Sequence, residues 1–465
     1  MSESSIGVAP KAHASERVVV DVNSPAARWV GALALLCATC WLAGVLARDH
    51  DHPGWAAAGR LAWSLTVLAA VAFVARGIFL GRPVTATHAA VAGGVLVAGL
   101  GAHVVSLDLL GDVLVAGSGL GLMWPTSARP RPDDLPRVWA LVNRTAGDPL
   151  APFAMQVGKC HYFSADGGAA VAYRTRIGYA VVSGDPIGDE AQFRQLVADF
   201  CGMCHTHGWR IVVLGCSEKR LGLWRDPAVV GHSLRAVPIG RDVVVDVSRF
   251  AMVGRTFRNL RQAVQRTHNI GVTTEIVAEQ EVDDTLLAQL TDVLRASHSG
   301  ARIERGFVMA LDGALEGRYP GVQLIVARDA SGRVQGFHRY TVAGGGSDVS
   351  LDVPWRRRGA PNGIDERLSV DMVMAAKEAG AQRVSLAFAA FPELFDQKHR
   401  GRMQTVCYVL IHLLDPLIAL ESLYRYLRKF HSLGDRRYAL VRLTQVIPLA
   451  YVLLSLEFMP RRRRL

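Results

Sequence analysis

The chain has 465 residues, half of them apolar, a formal charge of +11 and seven cysteines. That length leaves room for two or three domains, and an odd set of cysteines scattered at 37, 40, 160, 201, 204, 216 and 407 excludes a disulfide framework and fits a reducing compartment. Residues 1–127 hold seven basic and seven acidic side chains, so the whole positive excess belongs to 128–465 and points to an anionic partner: lipid headgroups, nucleic acid or both.

Residues 1–26 read as a polar tail, and 27–126 as a transmembrane region of about four helices, with apolar stretches at 27–47, 61–80, 84–106 and 109–125. The first three are long enough to cross ~30 Å of hydrocarbon; the fourth is short, Gly-rich and carries Asp112 near its start. The 26 residues ahead of the first stretch, and the stretches that follow it closely, argue against a cleaved signal peptide. Basic flanks (Lys11, Arg17 and Arg28; Arg76 and Arg82; Arg129, Arg131, Arg137 and Arg144) place the N-terminus and, where the fourth stretch spans, the large C-terminal part in the cytoplasm; with three spans the large part lies outside. Gly93, Gly94, Gly99 and Gly101 fit close helix packing, and the region reads as an anchor.

A Pro-rich linker at 127–137 leads into alternating strand-like and helix-like runs, an α+β pattern. A strand entering a turn is expected at 178–189 and strands at 209–216, 243–250, 271–277, 322–328, 333–343, 347–353 and 382–388, with helices at 190–208, 252–269, 281–297 and 363–379. Two successive units, 138–254 and 255–465, accommodate them. Within the first helix, Cys201-Gly-Met-Cys204-His205 matches the c-type haem pattern, and with His207 it could hold zinc. Phe193, Leu196, Val197 and Phe200 at helical spacing put both thiols on or beside the core face. They read as small apolar fillers, and no metal or cofactor is expected.

Seven collinear segments then resemble one family: "SGDPIGDE" (183–190), "IGRDVVVDVSRFAMVGRTFRNLRQAVQRTHNIG" (239–271), "ERGFVMALD" (304–312), "LDVPWRRRGAPNGIDERLSVDMV" (351–373), "VSLAFAAF" (384–391), "SLYRYLRKF" (422–430) and "RRYAL" (436–440). In this order they are similar to the catalytic domain of the phosphatidylglycerol lysyltransferases, the aminoacyl-phosphatidylglycerol synthases, over about residues 135–445. The resemblance implies tandem acetyltransferase-like (GNAT-type) lobes. It also implies an enzyme that moves an aminoacyl group, lysine or another, from aminoacyl-tRNA to the headgroup hydroxyl of phosphatidylglycerol. Trp355 stands where many relatives have arginine, and Gly434 where tryptophan is usual.

Such a transesterification needs a positioned base, oxyanion stabilisation and a proton for the leaving ribose oxygen. Asp352, expected at a strand end facing a loop, can act as base or grip the substrate ammonium; its alternative is pairing with Arg356–Arg358. Glu304 sits where the family has an acidic pocket residue, or else in a solvated turn. Arg356 and Arg357 can clamp phosphate, and Asn362 and Gly363 offer backbone N–H groups at a helix start. Lys429, Arg437 and Tyr438 match the family's Lys-Phe and Arg-Tyr and would meet lipid phosphate or ribose. Arg255, Arg258, Arg261 and Arg266 spread over one broad helix face that suits a tRNA acceptor stem. Pro361 breaks an acetyl-CoA loop pattern by removing an N–H, which weakens a CoA-dependent N-acyltransferase; that reading and, on the Trp355 and Gly434 departures, a non-catalytic lipid-binding protein are the alternatives.

Overall fold

The structure is a computed structural model and describes residues 18–20, 24–49, 55–297, 303–304, 308–390, 392, 420–442, 451–452, 455–456 and 461–462. Packing divides the chain into two units: residues 1–129 with 175–180 and 199–211, and residues 130–174, 181–198 and 212–465.

The first unit is built on helices α1 (Pro25–Asp49), α2 (Trp55–Phe79), α3 (Ala86–Val104) and α4 (Asp108–Leu122), with a small antiparallel pair β1 (Val18–Val20) and β2 (Val84–Thr85). Helices α1 to α3 are each long and apolar enough to cross a membrane. Helix α4, the expected span at 109–125, has 15 residues; at about 22 Å it is shorter than the hydrocarbon core. It packs closely through glycines. A Cβ on Gly119 would lie 2.5 Å from the Ala70 carbonyl oxygen of α2, and one on Gly99 3.0 Å from the Val115 backbone nitrogen of α4. These glycines let backbones approach, as small residues do between membrane helices.

The second unit carries most of one large sheet. In chain order the elements are α5 (Leu135–Arg144), β3 (Cys160–Phe163), β4 (Ala169–Arg176), β5 (Tyr179–Ser183), β6 (Ile187–Gly188), α6 (Phe193–Thr206), β7 (Arg210–Ser217), α7 (Leu221–Arg225), α8 (Pro227–Val230), β8 (Arg235–Asp246), α9 (Arg258–Asn269), β9 (Thr273–Ala278) and α10 (Asp284–Ala296). Then follow β10 (Ile303–Glu304), β11 (Val322–Arg328), β12 (Val334–Ala343), β13 (Asp348–Arg356), α11 (Ile364–Glu378), β14 (Arg383–Ala390), α12 (Leu420–Leu427), β15 (Leu433–Val441) and β16 (Arg461–Arg462). Among the described residues, twelve strands form the sheet in the order β3-β4-β5-β7-β15-β8-β14-β13-β12-β11-β9, with β6 on β4. Strand β15 is antiparallel to both β7 and β8 and joins the two halves.

Each half contains one parallel strand pair spanned by a helix. In the first, Arg210 N–H donates to Gly178 O and Gly184 N–H to Leu214 O, so β5 and β7 run the same way around α6. In the second, β13 and β14 are parallel and α11 connects them. Residues of β11 alternate in burial partner. Ile325 joins Leu368 and Val373 of α11 in one core, whereas Leu324 and Val326 join Leu290 and Val293 of α10 on the opposite face. This is an α+β, acetyltransferase-like architecture.

Two expected strands shift. The run expected at 243–250 is β8, which starts earlier and ends at Asp246 because its partners β15 and β14 extend from Arg235 to Asp246. The strand expected to end at 353 continues to Arg356, Pro354 pairing in register with His338. Strand β14 no longer lies alongside β13 at that level, and an edge tolerates a residue without an N–H.

Candidate active site

The parallel pair β13/β14 holds together for only three residues, Asp348 to Ser350 against Arg383 to Ser385, and then diverges. Both strands are irregular at that level. On β14, the register against β8 slips between Ser385 and Phe388. On β13, Leu351 faces Tyr340 and Val353 faces Arg339, so Asp352 is the extra residue of a β-bulge. A bulge re-aims a side chain and opens the ladder, and bulges concentrate at active sites. Asp352 therefore lies mid-strand, not at the strand end facing a loop, and beside the point where the sheet opens.

Its partner is Arg339 of β12, not Arg356–Arg358. Arg339 Nη1 donates to Asp352 Oδ2 at 2.8 Å and Nη2 to Glu279 Oε2 at 2.8 Å, with all three side chains fully buried. Leu311 N–H donates to Asp352 Oδ1 at 2.9 Å, and Leu315 N–H to Glu279 Oε1 at 2.8 Å. Two carboxylates on one guanidinium leave a net charge of −1 out of water. Burial pushes the Asp352 carboxyl up to about 6, against the pull of Arg339.

A second ionic cluster occupies the equivalent place in the first half. Arg437, expected to meet lipid phosphate or ribose, is instead buried on β15. Its Nε donates to Asp242 Oδ2 at 2.7 Å, Nη2 to Asp148 Oδ1 at 2.7 Å and Nη1 to Gly215 O at 3.0 Å, with Asp185 Oδ2 at 3.6 Å. The correction has a plain cause: every face of the guanidinium already meets an acceptor. Here too the ladder is irregular, since Tyr438 faces Cys216 and Ala439 faces Leu214, leaving Gly215 as the bulged residue. The cluster lines a cavity of about 70 Å³ with Thr145, Ser217 and Lys219. Burial raises Asp242 to about 6 and raises Asp185 as well. The loop at 147–150 reaches both halves: Asp148 joins Arg437, Gly147 N–H donates to Asp348 Oδ2 at 3.1 Å, and Ser350 Oγ donates to Pro149 O at 3.0 Å. Tyr438, next on β15 and half-buried, points to the opposite sheet face.

The start of α11 gathers more of the expected residues, arranged as ion pairs. Arg356 Nε lies 3.3 Å from Asp365 Oδ2, the Lys429 ammonium bonds the Glu366 carboxylate, and the buried His338 places Nε2 3.3 Å from Asp365 Oδ1. Asp365 and Glu366 thus complement the helix dipole themselves, and the anion site expected there is already filled by carboxylates. Arg357 is turned away onto Val334 O and Asp292. Asn362 is exposed, whereas Gly363 is buried with φ 103°, and a Cβ there would stand 2.7 Å from Ala263 O of α9. Gly363→Ala combines left-handed strain with this clash and should lower stability by about 2 kcal/mol, read as a drop in the thermal midpoint.

On and before α9, Arg255, Arg258 and Arg266 are exposed, while Arg261 Nη1 donates to Met252 O at 2.6 Å. Glu304 is in β10, its backbone paired with Arg461 of β16; its side chain lies outside the described residues. Cys201 and Cys204 are buried beside Phe200, and burial pushes the Cys201 thiol up to about 12. Trp355 packs on Phe337 with ring centroids 5.1 Å apart, and a Cβ on Gly434 would lie 3.3 Å from Asp242 O.

The sequence reading missed Arg339, Glu279, Asp148, Asp185 and Asp242 as site groups. The available signal was a charge inside an apolar strand run, as in "GRDVVVDV" or "GFHRYTVA", which a core admits only when paired.

A profile of the family described as "Phosphatidylglycerol lysyltransferase, C-terminal" matches residues 139–441. The chain is 74% identical over 461 residues to the "MprF-like domain protein Rv1619" of Mycobacterium tuberculosis, covering 99% of this chain and 95% of that one. It is 32% identical over 306 residues to the "Lysylphosphatidylglycerol biosynthesis bifunctional protein LysX" of Mycobacterium avium, covering 65% of this chain and about a quarter (25%) of LysX. In fold it is similar to L-PGS from Bacillus licheniformis, with TM-score 0.59, 20% identity and coverage of 70% and 96%. A C-terminal DUF2156 domain from Agrobacterium fabrum gives TM-score 0.58 at 23% identity, with coverage of 71% and 99%. The chain belongs to the phosphatidylglycerol lysyltransferase C-terminal family.

Proposed function

We propose that this protein is a membrane-anchored aminoacyltransferase that moves an amino acid, lysine or another, from aminoacyl-tRNA to the headgroup hydroxyl of phosphatidylglycerol at the cytoplasmic membrane face. The observation that carries the reading is the bulged carboxylate of Asp352 where β13 leaves β14, in a chain of this family. A carboxyl raised to about 6 is a competent base at neutral pH. In the proposed step the lipid hydroxyl oxygen attacks the ester carbonyl of the charged tRNA and its proton passes to Asp352. The carbonyl–ribose C–O bond then breaks, and the ribose oxygen takes the proton back. Arg255, Arg258 and Arg266, exposed around the start and outer face of α9, would bind acceptor-stem phosphates, and Arg356 and Lys429 would orient the substrate. The carboxylates at the start of α11 disfavour the pyrophosphate of CoA there, which speaks against the N-acyltransferase alternative.

Thin-layer chromatography of lipids from cells expressing the chain and fed labelled amino acids tests this. A new ninhydrin-positive, labelled lipid is expected, and the label names the amino acid. Unchanged lipids with the protein present in the membrane fraction would overturn the reading.

A further inference from the structure

Asp352 is sealed where it stands. Its side chain is fully buried, Arg339 Nη1 donates to Oδ2 at 2.8 Å, and the Leu311 N–H donates to Oδ1 at 2.9 Å. A base must come within hydrogen-bond reach of the proton it takes, so the transfer chemistry requires an element beside Asp352 to give way. Strand β12, which carries Arg339, is held in the sheet on both sides. The segment 308–319, ahead of β11, contains no helix or strand and runs past the buried ions.

Two main-chain donors fasten this segment to the cluster, one on each carboxylate: the Leu311 N–H on Asp352, and the Leu315 N–H on Glu279 Oε1 at 2.8 Å. Further out, Gln156 Nε2 donates to Ala310 O at 3.0 Å, the Val157 N–H to Tyr319 Oη at 2.9 Å, and Gln280 Nε2 to Gly317 O at 3.2 Å. Leu311 and Tyr319 share a core with Val138, Phe153 and Met155, whereas Leu315 packs with Leu290 and Val293 of α10. The two fastenings thus sit in different cores, and one can loosen without the other. Leu315 also holds φ at 64°, a left-handed backbone that disfavours any side chain, so the Glu279 end restrains a strained residue.

A proton acts on the two ends differently. Glu279 faces Arg339 with both oxygens, Oε1 at 2.8 Å from Nε and Oε2 at 2.8 Å from Nη2. Asp352 gives Arg339 one oxygen, so a proton arriving there goes to Oδ1, the oxygen that Leu311 uses. A neutral carboxyl accepts an N–H less strongly than a carboxylate does. The charged groups that face Asp352 are Arg339 of β12 and Glu279 ahead of α10. From the segment itself come Asp312 and Tyr319, bonded to each other, with the Tyr319 ring 5.8 Å from the Arg339 guanidinium.

We propose that residues 308–319 form a strap over Asp352, latched by the Leu311 N–H while the carboxylate is charged and released at that end when Asp352 is neutral, with Leu315 still held on Glu279. Its role rests on Asp352 being the base of the transfer. The incoming hydroxyl replaces the Leu311 N–H as the donor on Oδ1, and its proton keeps the strap open. Return of that proton to the leaving ribose oxygen restores the carboxylate, and the strap recloses.

Hydrogen–deuterium exchange of the full chain in detergent, without tRNA or acceptor lipid, reads the latch apart from the reaction. Electron-transfer fragmentation separates the Leu311 and Leu315 amides, each corrected for its intrinsic rate. In wild type the protection of Leu311 relative to Leu315 should fall about fivefold from pH 7.5 to pH 5, the difference between a charged and a neutral acceptor. In Asp352→Asn the ratio should be low and equal at both pH values. A wild-type ratio that stays constant with pH overturns the strap, whatever lipids the cells make, and this comparison stands without the variant. A fall that D352N shows equally overturns it too, because another group then titrates. The expected response in a protein whose cells make no aminoacyl lipid would keep the latch and remove the transfer reading.

Discussion

Replacing Arg437 with methionine is expected to destabilise the protein by about 3–5 kcal/mol, the range seen when one partner of a buried ion pair is removed. The side chain is 2% exposed and answers Asp148, Asp185 and Asp242, so its loss leaves three carboxylates without the guanidinium that pairs with them. The effect must depend on pH. Asp242 stands at about 6 even with the arginine present, because desolvation outweighs the attraction, and Asp185 is raised for the same leading reason. Without Arg437 both rise further. At pH 5 the cluster can take up protons and lose its repulsion, whereas at pH 7.5 it must ionise or the fold must open. Thermal unfolding of R437M in detergent should therefore show a deficit against wild type that is larger at pH 7.5 than at pH 5. A deficit that grows on acidification would mean that the carboxylates, not the arginine, are the stabilising partners.

The same cluster shows where sequence reading stops. Helices α1, α3, α6, α10 and α11, and most strands, follow from local apolar periodicity and lie within a few residues of their expected bounds, whereas α2 begins six residues earlier and α9 six residues later than expected. The motif segments place Asp352, Arg356 and Lys429 near the opened strands and α11. What local pattern cannot carry is pairing across long separations. Asp148 and Arg437 are 289 residues apart, and β15 slots between β7 and β8 only because a late strand completes a ladder that begins in the first half. "AGDPL" and "RRYAL" look equally solvated as strings, yet Arg437 is buried and its neighbour Arg436 is exposed, a difference of one step in strand alternation. The boundary at Pro354 failed for a related reason. Proline marks a strand end when both neighbours are present, and here β14 has already moved away.

Asp352→Asn should separate catalysis from stability. Transfer of the aminoacyl group is expected to fall by about 10²–10⁴-fold, the usual contribution of a positioned base, while the folded protein at pH 7 becomes no less stable. Arg339 keeps Glu279 at 2.8 Å from two of its nitrogens, so the substitution takes the buried cluster from a net charge of −1 to zero. The raised carboxyl fixes the sign of the pH dependence. Between about pH 4 and 6 the folded chain holds a proton on Asp352 that the unfolded chain has released. Stability from this group is therefore present at low pH and is lost as pH rises towards 6. A shift from 3.8 to about 6 corresponds to roughly 3 kcal/mol at most, and the variant should regain part of it at pH 7. Unfolding curves at pH 4.5 and 7 would thus converge in D352N relative to wild type. If D352N instead unfolds at pH 7, Asp352 is a structural counter-ion to Arg339. If it keeps full transfer, the base lies elsewhere. If Asp352 is the proposed base, the stability cost of a buried carboxylate on a strand bulged beside an opening is one the reaction, and not the fold, accounts for.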